Sequence, residues 1–261
     1  MHNVSLEFET TSILCPIDSI VGVWEFKRPP NFNYLCYSLP GHLLHLVSKG
    51  SYSLIINGIL YNVKQGDIIY YYESEEVETI GGNTDAEFYS ISYQASKLTP
   101  LSIDKRVFSA NKALQKLFKR IHASFCTNEN GNNNFIIHSY LLKILSHIWS
   151  LNNSLHISKH GLWWDVEHRL RRENCFKPSL DQITQLSGYS RSTLNRLCNQ
   201  ATGLPPLKRM RHIRLEEAKG LLGFTNLTVT QVAQRLGYGR IQEFSREFSK
   251  HLGASPSSFR Y

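Results

Sequence analysis

Short apolar runs with the period of a strand fill the first hundred residues. "YLCYS", "LLHLVS", "YSLIIN", "ILYNV", "DIIYYY" and "FYSISY" carry β-branched and aromatic residues and are parted by turn signals. Asn57-Gly58 between two apolar runs predicts a two-residue hairpin. Lys49-Gly50 and Gln65-Gly66-Asp67 mark further turns. Many short strands at this spacing predict a sandwich or small barrel.

From about Asn111 the period lengthens to that of a helix. "NKALQKLFKRIHASF" sets Leu114, Leu117, Phe118, Ile121 and Phe125 on one face. After the polar loop "TNENGNNN", "FIIHSYLLKILSHIW" is apolar around most of its circumference. Two such helices pack on the barrel, on each other or on a second subunit. Ser150 to Gly161 is polar and turn-rich and predicts a linker, dividing the chain into residues 1–152 and 153–261.

Beyond the linker every segment reads as helix. "LWWDVEHRLRREN" turns Val166 and Leu170 inward, and Ser179 caps "SLDQITQL". "LKRMRHIRLEEAKGLL" carries Leu207, Met210, Leu215, Ala218 and Leu222 on its apolar side, and Thr228 caps "TVTQVAQRL".

This half repeats itself. Gln182, Gly188 and Tyr189 recur as Gln231, Gly237 and Tyr238 at an offset of 49. After one extra residue, Leu194, Arg196, Gly203 and Pro206 recur as Phe244, Arg246, Gly253 and Pro256 at an offset of 50. Self-similarity over nearly thirty residues predicts two copies of one unit: helix, glycine turn, helix. The copies span about residues 179–201 and 228–251.

In each copy the first helix has a small buried face, Ile183 or Val232 with Ala233. The second keeps core contacts at Leu194 and Cys198, or Phe244 and Phe248. The outward positions of the first copy are then Arg191, Ser192, Asn195, Arg196 and Asn199. In the second they are Arg240, Gln242, Glu243, Ser245 and Arg246, with Ile241 at the edge. Arginine, asparagine and glutamine are the side chains that make paired hydrogen bonds to base edges in the major groove. Held about 34 Å apart, two such helices enter successive grooves on one DNA face.

Charge turns this pattern into a functional expectation. Of the net +8, residues 1–152 contribute −1 and residues 153–261 contribute +9. A polyanion partner is expected for the basic half, with double-stranded DNA first. Lys208, Arg209, Arg211 and Arg214 on the connecting helix add to that surface. Five scattered cysteines without Cys-x-x-Cys spacing argue against disulfides and zinc, so reduced and mostly buried thiols are expected. No stretch reads as a membrane span or a secretory signal, so cytoplasmic residence is expected.

The C-terminal half closely resembles the DNA-binding domain of the AraC/XylS family of bacterial transcription regulators. The residues that carry the resemblance are "SRSTLNRL" with "TG" following, "IRLEEAKGLL", and "VAQRLGYGRIQEFSREFSKHLGASPSSFR". It implies base reading by Ser192, Asn195 and Arg196, and by Gln242, Ser245 and Arg246 with Arg240 and Ile241 at the rim. Departures occur at Arg240, Gln242, Glu243 and Ser249. Glu243 puts a carboxylate near where phosphates would lie.

The N-terminal half is similar, more weakly, to the family's cupin-type sensor barrel. The fold class implied is α+β: a cupin-like β-barrel with two following helices, then an all-α domain with two helix-turn-helix motifs. In such regulators the barrel can bind a small-molecule effector, and helices like those near 111–126 and 135–151 can form a homodimer. A promoter-binding activator that meets RNA polymerase is the role the resemblance implies.

Two other classes compete. A cupin enzyme would need a His-x-His pair with a carboxylate and a third histidine. His42 and His45, three apart, fall on opposite faces of a strand, as one exposed and one half-buried histidine. The acidic run Glu73 to Glu78 reads as a solvated loop. With no nucleophile elbow, phosphate loop or paired carboxylates, neither an enzyme nor a bound cofactor or metal is expected. An architectural DNA-coating protein would explain the basic half but not the near-neutral barrel.

Overall fold

The computed structural model describes residues 15–96, 98–127, 134–152 and 161–259. Two antiparallel sheets face each other. The first runs β1 (Ser19–Arg28), β8 (Ala86–Gln94), β3 (His42–Lys49), β6 (Asp67–Tyr72), β9 (Val107–Ser109). The second runs β2 (Asn33–Tyr37), β7 (Glu76–Gly81), β4 (Ser51–Ile56), β5 (Ile59–Lys64). Among the described residues the ladders of the two sheets do not join, so the cupin-like half is a sandwich of two sheets. Asn57 and Gly58, both at positive φ (49° and 89°), turn β4 into β5 as expected.

Burial follows the layers. β6 is buried at all six positions because both of its faces are covered. Ile68, Tyr70 and Tyr72 face the helices, while Ile69 and Tyr71 face the second sheet. β4 alternates, with Tyr52, Leu54 and Ile56 turned inward. The helices α1 (Lys112–Cys126) and α2 (Asn134–Asn152) cover the first sheet. They do so through Leu114, Phe118 and Ile121, and through Ile137, Leu141, Ile144 and Ile148. Leu117 is only partly buried and Phe125, in the last turn of α1, is exposed.

Six helices follow: α3 (Gly161–Arg172), α4 (Leu180–Ser187), α5 (Arg191–Thr202), α6 (Pro206–Phe224), α7 (Val229–Arg235) and α8 (Ile241–Leu252). They gather around α6, which buries Met210, Ile213, Leu215, Ala218 and Leu222. Leu207 departs from expectation: it is exposed and lines a surface hollow in the first turn, before α6 enters the core. The apolar core runs without a break from the first sheet into these helices, with Tyr72 and Trp164 edge to face at 5.0 Å. Of the expected linker, Ser150 to Gly161, the first three residues are helical and close α2, and Gly161 opens α3; residues 153–160 lie outside the described residues.

Three sequence expectations are corrected here. Glu73, Ser74 and Glu75, expected in a solvated loop, are buried. Their acids are drawn inward by cations from elsewhere in the chain: Arg171 bonds Glu73, and the fully buried Arg106 bonds Glu75. Neither histidine of β3 is exposed: His42 is buried, with Nδ1 2.8 Å from the Tyr70 hydroxyl, while His45 is half-buried, as expected of one of the pair, and stacks on Phe88 at 4.8 Å. They do lie on opposite faces of the strand, His42 against Tyr72 and Tyr93 and His45 against Tyr71 and Phe88. The cysteines are free, but Cys15, Cys36 and Cys126 are exposed, Cys175 is half-buried and only Cys198 is buried: Cys36 falls on edge strand β2, Cys126 ends α1, and Cys15 and Cys175 lie outside the regular elements.

No described helix is long and apolar enough to cross a membrane.

Candidate nucleic-acid interface

The two repeats fold alike down to their hydrogen bonds. Ser179 Oγ accepts from the Gln182 amide at 3.2 Å, and the Ser179 amide donates to the Gln182 side chain at 2.7 Å. Thr228 and Gln231 reproduce this capping box at 3.2 and 2.8 Å. Each first helix then reverses through a left-handed glycine, Gly188 at φ 73° and Gly237 at φ 80°.

The second helices differ at their start. Ser190 caps α5, its Oγ accepting from the Thr193 amide at 3.2 Å. Arg240 occupies the equivalent position of α8 with no side-chain cap bond, which leaves its guanidinium free on the surface. Leu194 and Cys198 anchor α5 in the core, and Phe244 and Phe248 anchor α8.

Every outward residue expected from the sequence lies on the exposed side. Arg191, Ser192, Arg196 and Asn199 are exposed on α5, and Asn195 is half-buried between them. Arg240, Gln242 and Arg246 are exposed around α8, with Ile241 and Ser245 half-buried. Glu243 is half-buried as well, and three of the eleven are already engaged: Arg191 pairs with Asp181, Asn199 Nδ2 donates to the Asn195 carbonyl at 2.9 Å, and Glu243 pairs with Lys177. Arg196, Gln242 and Arg246 make no hydrogen bond or ion pair with any described residue, so their donors face solvent.

The connecting helix is less basic on its surface than its sequence suggests. Arg209 is fully buried, donating from Nε and Nη2 to both oxygens of Glu167 at 3.0 and 2.9 Å. Arg214 is buried as well, with Nε on the Tyr238 hydroxyl at 2.9 Å and Nη2 on Glu247 at 3.2 Å. Both serve the core because partner acids sit on α3 and α8. Only Lys208 and Arg211 of the four stay exposed.

One interface residue was not expected. Lys177, in the loop between α3 and α4, reaches Glu243 of α8 with Nζ at 2.8 Å from Oε1. That hydrogen bond holds the Glu243 carboxyl below its usual range. No periodicity links residues 66 apart in sequence, so only the fold reveals the pair.

Between the two sheets lies a cavity of about 300 Å³ lined by Trp24, Phe26, Arg28, Leu43, His45 and Phe88, among others. Burial, helped by the Arg28 charge, pulls His45 down to about 3, so it is neutral there. Among the described residues no cluster of three or more His, Cys, Asp or Glu is placed to hold a metal ion.

The profile of a helix-turn-helix domain family matches residues 183–261. The HTH-type transcriptional activator AarP of Providencia stuartii is 38% identical over 82 residues, 31% of this chain and 61% of that protein. The HTH-type transcriptional activator RhaS of Salmonella schwarzengrund is 30% identical over 109 residues, 42% of this chain and 37% of that protein. The chain thus spans less than two thirds of either relative. Over the whole fold, ToxT of Vibrio cholerae O395, bound to (E)-4-(8-methylnaphthalen-1-yl)but-3-enoic acid, superposes with a TM-score of 0.60 at 13% identity, covering 92% of this chain and 98% of that one. Wild-type ToxT of strain SCE256 bound to an unsaturated fatty acid gives 0.59 at 12% identity, covering 93% and 95%.

Proposed function

We propose that this chain is a sequence-specific DNA-binding transcription regulator of the AraC type, acting as an activator, which the helix-turn-helix match over residues 183–261 supports. The observation that carries the reading is the duplication: two capped glycine-turn units present Asn195 and Arg196, and Gln242 and Arg246, on exposed helix faces. Residues 153–261 form the DNA-binding half, and α5 and α8 enter successive major grooves of promoter DNA. Residues 1–152 form the sensing half.

The intersheet cavity is the effector site of this reading. Its aromatic walls and the Arg28 guanidinium, over the Phe26 ring at 5.0 Å, suit a small apolar acid. Phe135 and Ile136, exposed at the start of α2, fit a homodimer built on α1 and α2. RNA polymerase is the remaining partner of an activator in the cytoplasm. No catalytic role is assigned to the sandwich.

Genome-wide mapping of the sites bound by the full chain tests the reading. A small set of promoters with one shared motif is expected. Uniform coating of DNA would replace it with an architectural role.

A further inference from the structure

Resting on the DNA-binding reading, we propose that Glu243 reads a cytosine in the major groove and that Lys177, from outside both helix-turn-helix units, positions its carboxylate for that contact.

Glu243 is the third residue of α8 and shares a surface hollow with Arg240, Gln242 and Arg246. Residues near the start of a recognition helix are the ones that reach base edges. A carboxylate only accepts hydrogen bonds, which restricts what it can meet there. Phosphate oxygens repel it, guanine and thymine offer it acceptors, and adenine sets its N6 donor beside the N7 acceptor. Cytosine N4 is the donor that an acid matches. Glu243 is therefore suited to a base edge and unsuited to the backbone.

A bare carboxylate among phosphates would still be costly, and Lys177 offsets that cost. Its Nζ lies 2.8 Å from Oε1, which leaves Oε2 without a partner among the described residues and free to accept from a base. The same ammonium sits over the Tyr238 ring at 4.7 Å, so it is held from two sides. The loop carrying it is fixed too. The Phe176 carbonyl accepts from Arg214 Nη1 at 3.3 Å, and the Tyr238 hydroxyl donates to Glu247 of α8 at 2.7 Å.

Gly237 completes the fit. A Cβ there would come within 3.2 Å of Lys177 Cβ, so the glycine serves both the left-handed turn at φ 80° and the passage of the lysine stem. The first repeat has Thr193 at the position of Glu243, so the two reading helices present different chemistry.

The test is selection of bound duplexes from a random-sequence DNA library by the full chain and its Glu243→Gln, Lys177→Ala and Lys177→Arg variants. Wild type should enrich a motif with one fixed cytosine in the half-site read by α8. Glu243→Gln should keep the rest of the motif and exchange that cytosine for adenine, the base that glutamine pairs with. Lys177→Ala should relax the preference at that position alone and bind the wild-type site about tenfold more weakly, and Lys177→Arg should restore both. An unchanged motif for Glu243→Gln overturns the cytosine assignment. Equal weakening by Lys177→Ala on every sequence makes Lys177 a phosphate contact and overturns its positioning role. If wild type enriches nothing, the DNA-binding reading fails first.

Discussion

Arg209 of the connecting helix donates from Nη1 to the backbone carbonyl of Glu73, in the sandwich, at 2.8 Å. Its other two donor groups are spent on Glu167 of α3, and the Glu73 carboxylate is bonded by Arg171, also of α3. Burial opposes the charge on Glu73, yet the neighbouring Arg171 and Arg209 hold its carboxyl below the usual range. The helix that spaces α5 from α7 and α8 is thereby joined to the sandwich through paired charges, with Arg209 and Glu167 wholly buried.

Removing Arg209 should be expensive. Arg209→Ala leaves Glu167 fully buried with Trp163 Nε1, at 3.0 Å, as its remaining donor. A loss of about 3–5 kcal/mol is expected, because an uncompensated buried charge remains. Urea unfolding measures it. A loss near zero would mean that the pair is not buried in solution.

Arg196 is exposed and unengaged, so its substitution should spare the fold and affect recognition. Arg196→Ala should cost about 1–3 kcal/mol on the selected site and little on random DNA, read by gel shift. An equal loss on both would make it a phosphate contact.

Asn57 serves the hairpin and the junction together, and the two roles separate by substitution. Its Nδ2 donates to the Thr202 carbonyl at the end of α5 at 2.7 Å. Asn57→Gly keeps the positive φ and loses that bond; Asn57→Ala loses both. The alanine variant should be less stable than the glycine variant by about 1 kcal/mol in thermal or urea unfolding. Equal stabilities would show that the turn conformation carries no cost.

Acid should weaken the fold through buried histidines. Burial first, and neighbouring cations second, pull His212 down to about 3, and burial pulls His251 and His42 down to about 4, from an ordinary 6.5. The unfolded chain binds their protons as pH falls below about 6.5, whereas the folded chain does not until about 4. Stability should therefore fall steadily from pH 7 towards pH 4. Glu75 and Glu216, raised by burial, act in the opposite sense above their ordinary 4.5, but they are fewer. Thermal midpoints across this range test the sign, and His251→Gln should flatten the profile. His251 stacks on Tyr37 of β2 with ring centres 3.8 Å apart, so the same titration strains the junction.

Much of the fold and site was legible in the chain. The Asn57-Gly58 hairpin, the capping boxes at Ser179 and Thr228, the two glycine turns and the spacing of Leu194 with Cys198 and Phe244 with Phe248 are local. Backbone sterics and helical period dictate them within a few residues. The outward faces of α5 and α8 follow from the same periods.

The fate of the charges was not legible. Glu73 and Glu75 read as solvated, and Arg209 and Arg214 read as part of a DNA surface, yet all four are buried. Lys177 and Glu243 give no local sign of meeting. Periodicity tells which face of an element is apolar, but a charge is buried only where a distant counter-charge is delivered to it. Glu73 finds Arg171 across 98 residues, and its carbonyl finds Arg209 across 136. The sequence by itself determined two helix-turn-helix units with their outward faces and a sheet-rich partner. The tertiary structure decided which cations face solvent and which bind the halves together, because a buried ion is stable only beside its partner.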